Sequence, residues 1–136
     1  MAKLVIGLTS SSVDKLVSAG VMLSGAAADD MEAEVFVLVN AAHAFIKNNP
    51  VTEYMSDASQ TVEEFKSACK KVSTPSWIEF FNMAKEMTSV RVIICSLAGK
   101  IAGGEKKEDF IDLVDDFCGI GEYLDAAKDA DIHVTL

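Results

Sequence analysis

Residues 4–8 read LVIGL and residues 33–39 read AEVFVLV, and these two apolar runs decide the fold. Runs that are apolar at almost every position are typical of strands covered on both faces, as in a parallel sheet. Between them lies an apolar stripe at helical spacing, formed by Leu16, Gly20, Leu23 and Ala27. A hydroxyl cluster at residues 9–12 precedes this stripe and can supply its N-cap. Strand, helix and strand in this order predict a βαβ unit with a right-handed crossover.

The middle of the chain continues the alternation of helices and strands. Thr61-Val62-Glu63-Glu64 has the spacing of a capping box and predicts the start of a helix. Thr74 and Pro75 predict the start of the next helix, with Thr74 as N-cap and Pro75 at the first helical position. Residues 90–95, VRVIIC, are almost wholly apolar and predict a third buried strand.

The C-terminal part of the chain combines glycines with many charged residues. A glycine-containing segment at residues 97–104 leads to a predicted helix near Lys107 to Val114, and Tyr123, Leu124 and Ala127 mark another helix. The last run, residues 131–136, alternates polar with apolar side chains, which predicts a half-buried strand near the sheet edge. The whole pattern predicts an α/β sandwich with an open, mostly parallel sheet.

Length and charge bound the function. A chain of 136 residues that is 50% hydrophobic folds as a single domain, residues 1–136, without needing disulfides or a structural metal. Its net charge of −9, with Arg91 as the one arginine, argues against nucleic acid as a partner, because phosphate binding relies on clustered Lys and Arg. Residues 105–131 carry −7 of that charge, and we favour a solvated acidic face over a docking surface for a basic partner. No run reaches the ~20 apolar residues of a membrane span, and the apolar start is too short for a signal peptide, so we expect a cytoplasmic protein without a membrane partner.

The cysteines and the glycine patterns exclude several kinds of site. Cys69, Cys95 and Cys118 are widely spaced and odd in number, which fits neither a disulfide framework nor a CxxC metal pair. With only two histidines in the chain, no metal site is expected. The GxxxxGK[ST] and GxGxxG patterns are missing, so no nucleotide cofactor is expected. Cys69 shares a helical stripe with apolar residues, which favours a place in the core, whereas for Cys118 core packing and reactivity stay equally open.

Ligands of an open parallel sheet gather beyond the carboxyl ends of its strands. Three segments are expected there, residues 9–12, 40–43 and 95–96. The candidate ligand-binding residues of this crevice are Ser10, Ser11, Asn40, His43, Ser96 and Leu97. His43 also fits as the one polar residue of a short helix, which is the interpretation that we favour.

Cys95 is the strong nucleophile among these candidates. If a helix or a tight turn begins directly after it, free backbone N–H groups and the positive end of the helix dipole favour the thiolate, and Lys100 adds to this effect. The alternative is a small buried residue that fills the end of the strand, which is the commoner situation for a free cysteine. From these residues alone, the packing alternative is the favoured one.

The order and spacing of five segments give the chain a resemblance to the DsrE/DsrF-like group of small sulfur-relay proteins. These segments are Gly20 to Ala28, Met31 to Phe36, Val92 to Leu97, Gly119 to Leu124 and Ala130 to Val134. The resemblance implies a three-layer α/β/α fold with a mostly parallel sheet of about five strands, assembled into a homotrimer or a hexamer of two trimers.

The same resemblance implies that Cys95 carries sulfur as a persulfide or thiosulfonate and passes it to a partner carrier similar to TusA. Some relatives bear a second cysteine shortly after the first, and this chain has Gly103 and Gly104 in that region, so we expect no internal resolving cysteine. The resemblance places a reactive Cys95 ahead of the packing alternative.

The hypothesis is therefore a sulfur carrier or sulfurtransferase in which the Cys95 thiolate accepts sulfane sulfur and N–H groups near Ser96 and Leu97 stabilise the charge. The alternative is a non-enzymatic oligomeric module that binds a ligand or partner in the crevice while Cys95 only packs. A thiol peroxidase is a third possibility, which would require a resolving cysteine close by.

Overall fold

The computed structural model describes residues 1–136 and contains one five-stranded sheet in which every pairing is parallel. The strands are β1 (Lys3–Leu8), β2 (Glu32–Val37), β3 (Val90–Cys95), β4 (Asp116–Cys118) and β5 (Ile132–Thr135), in the spatial order β4-β3-β2-β1-β5. The α-helices are α1 (Val13–Ala28), α2 (Val62–Lys71), α3 (Trp77–Met87), α4 (Ser96–Ala102) and α5 (Ile120–Asp129). Two 3₁₀ helices span Val39–Ala44 and Lys107–Asp109. The predicted α/β fold with a parallel five-stranded sheet is confirmed.

The connections place helices on both faces of the sheet. From β1 to β4 each strand lies beside its predecessor on the same side, so right-handed crossovers put α1, α3 and α4 on one face, which we name the α1 face. The connection from β4 returns to the far edge at β5, and its helix α5 therefore covers the opposite face, the α5 face. On that face the Tyr123 ring of α5 lies 5.3 Å from the Phe36 ring of β2.

Strand alternation assigns the inward side chains to these faces. Phe36, Ile93 and Asp116 are partners across β2, β3 and β4 and share the α5 face. Two residues further along β3 and β4, Cys95 and Cys118 are also partners and lie on the same face. Both faces of the central strands are buried, which explains why their sequences are apolar almost throughout.

The βαβ prediction for the first 39 residues is confirmed, with one difference at each junction. Ser12 occupies the N-cap position of α1 but makes no capping bond, because its hydroxyl pairs with that of Ser10 at 2.8 Å. Strand β2 ends at Val37, and Val39 turns the chain into the 3₁₀ helix with φ 46°.

The two predicted helix starts in the middle of the chain have different outcomes. The capping box of α2 is present, since Thr61 Oγ1 accepts from the Glu64 N–H and Glu64 Oε1 accepts from the Thr61 N–H. The prediction of Thr74 as N-cap and Pro75 as first helical residue is wrong. Helix α3 begins at Trp77, because Ser76 caps it by accepting from the Glu79 N–H at 3.2 Å.

The helix predicted near Lys107 to Val114 is wrong. The helix of this region is α4, which starts at Ser96 and ends where Gly103 adopts φ 96° and donates to the Lys100 carbonyl. Such a left-handed C-cap favours glycine. Only a 3₁₀ turn follows, and the buried Phe110, Leu113 and Val114, whose spacing suggested a helix, pack from an irregular segment.

The C-terminal predictions are confirmed in outline. Helix α5 contains Tyr123 to Ala127, and β5 is an edge strand beside β1, although its residues are more exposed than half-buried. Strand β4, of three residues, was missing from the prediction. None of the helices combines the length and the apolar character that crossing a bilayer requires.

Candidate functional site

Cys95 is the last residue of β3 and the N-cap residue of α4, with φ −62° and ψ 127°. The condition for stabilising a Cys95 thiolate, a helix or tight turn directly after it, is met by the start of α4. The first N–H groups of a helix have no partner within the helix, so those of the first turn of α4, directly after Cys95, are free of intrahelical bonds. Cys95 is 9% exposed, whereas the next two residues, Ser96 and Leu97, are exposed to solvent.

Cys118 ends β4 directly beside Cys95. The two residues are partners in the parallel pairing of β3 with β4. Adjacent strands lie about 4.8 Å apart, and partner side chains of a parallel pair point to the same face. The expectation of no internal resolving cysteine considered only the glycine segment that follows Cys95, and the structure brings a second thiol, Cys118, beside Cys95 from a neighbouring strand.

The surroundings of Cys118 disfavour its thiolate. Burial raises its pKa to about 11, and the neighbouring Cys95, Glu122 and Asp116 add to the increase, while Arg91 opposes it. Cys118 is 4% exposed. It is therefore a buried thiol that stays protonated at neutral pH, which disfavours spontaneous reactivity.

A row of alternating charges crosses the α5 face at the opposite end of the sheet from the two cysteines. Lys3 Nζ lies 2.7 Å from Glu34 Oε1, and Arg91 Nη1 lies 2.8 Å from Glu34 Oε2. Arg91 Nη2 also lies 3.1 Å from Asp116 Oδ2. We call these four residues, one from each of β1 to β4, the charge ladder. The one arginine of the chain is thereby held in two ion pairs on the same face as the cysteines.

Lys100 lies away from Cys95. It belongs to the last turn of α4 and is exposed, and a separation of five helical residues corresponds to about 7.5 Å along the axis. It lines a surface depression together with Glu105, Lys106 and Asp109. The addition of Lys100 to the stabilisation of a Cys95 thiolate is therefore not supported by its position.

The serines after β1 are engaged in local hydrogen bonds. Ser11 Oγ and Tyr54 Oη are 2.8 Å apart, and the Ser12 N–H donates to Ser10 Oγ at 3.1 Å. Strand β1 is separated from β3 by β2, which puts the end of β1 about 10 Å from Cys95. Ser11 thus bonds to the loop at Tyr54, Ser10 bonds to Ser12, and both serines lie at a distance from Cys95.

Asn40 and His43 belong to the 3₁₀ helix Val39–Ala44, which packs against α4. The interpretation of His43 as the polar residue of a short helix is confirmed, and its side chain is half-buried while Asn40 is exposed. Val39, at the start of this helix, is a β-branched residue in the left-handed region, which costs about 1–2 kcal/mol. Among the sequence candidates, this segment and residues 95–97 are the ones that the fold brings together.

Cys69 lies outside the core. Helix α2 has no buried residue, and Cys69 lines a groove of about 390 Å³ between α2 and the starts of α1 and α3. Lys66, Cys69 and Trp77 are among its lining residues, and Cys95 is not. The core position predicted for Cys69 is wrong, because the apolar stripe of α2 faces this groove.

Several acids of the 105–131 segment have structural partners. Asp109 Oδ2 accepts from the N–H groups of Glu105 and Lys106, each at 3.0 Å. Asp115 pairs with Lys85 and accepts from the Val92 N–H, and Asp131 accepts from the Lys3 N–H. With Asp116 of the charge ladder, four of the ten acids of this segment are thus engaged within the chain.

The pairing of Cys95 with Cys118 is the feature that sequence reasoning missed. Strand β4 has three residues, too few for a recognisable hydrophobic period. One signal was present, because each cysteine stands just before a helix. Helix α4 begins at the residue after Cys95, and α5 begins one residue further on from Cys118, after Gly119. Two cysteines at the carboxyl ends of strands are neighbours only if those strands are adjacent, and the undetected β4 concealed this.

No family model matches the chain, and no curated protein matches it. Solved structures do match over the full length of both chains. One is the protein of unknown function MTH1491 from Methanobacterium thermoautotrophicum, with a TM-score of 0.62 and 15% identity. Another is the ychN protein from E. coli, with a TM-score of 0.57 and 15% identity. At this level of identity the likeness shows a shared fold.

Proposed function

We propose that the protein is a sulfur carrier of the DsrE/DsrF-like type, in which Cys95 accepts sulfane sulfur and hands it to a partner thiol. The observation that carries the proposal is the position of Cys95, at the carboxyl end of a central parallel strand and at the first turn of a helix. Reactive groups of open parallel sheets gather at this edge. The resemblance of the sequence to sulfur-relay proteins supports the same assignment.

The loading step needs a nucleophilic sulfur and a donor with a good leaving group. The Cys95 thiolate attacks a sulfur atom of a polysulfide, the S–S bond of the donor breaks, and the shortened polysulfide leaves with the electron pair of that bond. The product is a Cys95 persulfide. N–H groups of Ser96 and Leu97 would stabilise the negative charge of the terminal sulfur.

The experiment is intact-mass measurement of the reduced protein after incubation with polysulfide, thiosulfate or tetrathionate. The Cys69→Ser variant serves as background, since the half-exposed Cys69 can react by itself. We expect sulfur adducts in this variant and none in Cys69→Ser/Cys95→Ser. Equal adducts in both chains would show that Cys95 does not carry the sulfur.

A second candidate function is a non-enzymatic oligomeric module that binds a ligand or partner while Cys95 only packs. Its support is the low exposure of Cys95, 9%, beside the largely exposed Val39 and Leu97. This module predicts a Cys95 that resists alkylating reagents and whose replacement by Ala leaves partner binding unchanged. In a thiol peroxidase, Cys118 would supply the second cysteine. Hydrogen peroxide would then oxidise Cys95 at a lower concentration than polysulfide needs to modify it.

We further propose that the protein acts in the cytoplasm as a homotrimer or hexamer and delivers sulfur to a carrier similar to TusA. Three free cysteines suit a compartment that keeps thiols reduced. Sedimentation of the reduced protein gives the oligomer count, and transfer of labelled sulfur to the purified carrier tests the partner. A monomer that discharges only to small thiols would contradict both statements.

A further inference from the structure

The pairing of β3 with β4 brings two thiols together at one edge of the sheet, and the proposed function uses only one of them. Cys95 and Cys118 are register partners, with α-carbons about 4.8 Å apart. Disulfides span α-carbon separations of about 4.4–6.8 Å. Both side chains point to the α5 face, so a bond between their sulfur atoms needs no reversal of either strand.

We propose that Cys118 is the resolving thiol of Cys95, which discharges the Cys95 persulfide as hydrogen sulfide and leaves a reversible Cys95–Cys118 disulfide. This inference rests on the proposed function, because it requires a persulfide on Cys95. It adds a second reactive residue and a fate for the sulfur when no acceptor is present.

The step balances without an external oxidant. The Cys118 sulfur attacks the inner sulfur of the persulfide, the one bonded to Cys95 Cβ, and the new bond joins the two Sγ atoms. The bond to the outer sulfur breaks, and that sulfur leaves as hydrosulfide with the electron pair, while the proton of Cys118 goes to solvent. Two thiol-level sulfurs are oxidised to a disulfide and one sulfane sulfur is reduced to sulfide. A small-molecule thiol then reduces the disulfide and restores both cysteines.

The location of Cys118 suits a slow and reversible closure. Strand β4 has three residues and lies at the sheet edge, so a small shift of its backbone disturbs one neighbouring strand only. An α-carbon separation of about 4.8 Å is shorter than the commonest value of about 5.5–6 Å, so we expect a strained disulfide, and strained disulfides are the readily reduced ones. The buried, protonated thiol of Cys118 reacts slowly at neutral pH, which leaves the persulfide time to meet an acceptor.

The test follows the fate of the loaded sulfur. Cys69→Ser is treated with polysulfide, the donor is removed, and intact mass and released sulfide are measured over time at alkaline pH. We expect the adduct of one sulfur atom to convert into a species two hydrogen atoms lighter than the reduced chain, with one sulfide released for each disulfide. In Cys69→Ser/Cys118→Ser the adduct should last at least about tenfold longer. Cys69→Ser/Cys118→Ala repeats the comparison in case the buried hydroxyl perturbs the fold.

The outcomes separate this inference from the proposed function. An adduct that is equally stable in all these chains, without sulfide or disulfide, overturns the role of Cys118 and leaves sulfur carriage by Cys95 intact. Sulfur uptake that persists in Cys69→Ser/Cys95→Ser overturns the proposed function itself.

An aromatic disulfide reagent tests the thiol pair without sulfane sulfur. Cys69→Ser should release two equivalents of the aromatic thiol and end unlabelled, because Cys118 displaces the label from Cys95. Cys69→Ser/Cys118→Ser should release one equivalent and keep one label. A Cys69→Ser chain that ends with two labels would show that the cysteines react independently, which overturns the pairing.

Discussion

The α1 face of the sheet is covered by α1, α3 and α4, and the α5 face by one helix of ten residues. Packing on the α1 side is apolar and aromatic, with the Trp77 and Phe81 rings 5.4 Å apart. Glu34, the only buried charged side chain, belongs to the α5 face, and so do Cys95 and Cys118. The α5 face therefore combines apolar packing, such as that of Phe36 with Tyr123, with the buried Glu34 and the two cysteines, and a single helix separates these groups from solvent.

The largest difference that we expect between the two faces is in chemical reactivity. Only the α5 face carries a reaction, the closure of the Cys95–Cys118 disulfide, whose rate depends on pH. Because the pKa of Cys118 is about 11, the rate of disulfide closure should rise about tenfold for each pH unit between pH 7 and 10. The charged or titratable groups that act on this thiol are Cys95, Glu122, Asp116 and Arg91. The measurement is the release of the second equivalent from the aromatic disulfide reagent in Cys69→Ser.

Glu122→Gln is the matched variant for this pH profile. Glu122 is exposed on α5 and raises the pKa of Cys118, so its neutralisation should speed closure by about twofold at a given pH, with an unchanged slope. A closure rate that does not change with pH would contradict a protonated Cys118 as the attacking residue.

The second prediction concerns the charge ladder. Arg91→Met leaves the buried Glu34 with Lys3 alone, and we expect the free energy of unfolding to fall by about 2–3 kcal/mol, since a buried carboxylate loses a partner. Lys66→Met removes the exposed pair with Glu53 and should cost at most about 0.5 kcal/mol. Urea unfolding followed by the fluorescence of Trp77 measures both. Equal costs would mean that the ladder does not stabilise the α5 face.

The sequence predicted the α1 face better than the α5 face, and the reason is physical. The strands β1, β2 and β3 are buried on both sides, so their apolar runs are long and easily recognised. The stripe of α1 also follows directly from its periodicity. Nothing comparable marks β4, whose three residues include the charged Asp116 of the ladder.

The candidate site was predicted in part for the same reason. Cys95 ends a strand that the sequence shows plainly, whereas the helix directly after it, α4, was considered only as a condition for a stabilised thiolate. The neighbour of Cys95 depends on strand order, which is a tertiary property, and Cys118 therefore could not be assigned to it. The apolar residues of the 105–115 segment suggested a helix, because helical spacing and irregular packing of buried side chains look alike over so few residues.

The third prediction compares one glycine from each face. A Cβ at Gly7 would overlap the hydroxyl of Tyr123, which α5 places over β1 and which lies 2.6 Å from His133 Nε2. Gly7→Ala should cost about 2 kcal/mol and displace α5. Because α5 begins just after Cys118, the alkylation of Cys118 should become faster, which peptide mapping of the labelled cysteines would show.

Gly20→Ala is the control on the α1 face. Its Cβ would lie 2.6 Å from Phe80 Cβ, so that it crowds α1 against α3. Its cost should be at least as large, because Phe80 Cβ is attached to the backbone of α3 and cannot move aside as the end of the Tyr123 side chain can, and the alkylation of Cys118 should not change. A faster alkylation in both variants would show that the cysteines respond to global stability and not to the position of α5.

The smallest change in the free energy of unfolding is expected at Val39, which follows β2 at the carboxyl edge of the sheet. Val39 holds φ 46° between β2 and the 3₁₀ helix that packs on α4, and asparagine adopts this conformation at lower cost than a β-branched residue. Val39→Asn should therefore raise the free energy of unfolding by about 1 kcal/mol, as measured in urea. Val21→Asn is the control, because Val21 is also 51% exposed but lies within α1, where valine and asparagine have similar helix propensities. If Val39→Asn is instead the less stable chain, the exposed valine makes contacts that outweigh the backbone strain. The segment beside Cys95 would then be held by packing.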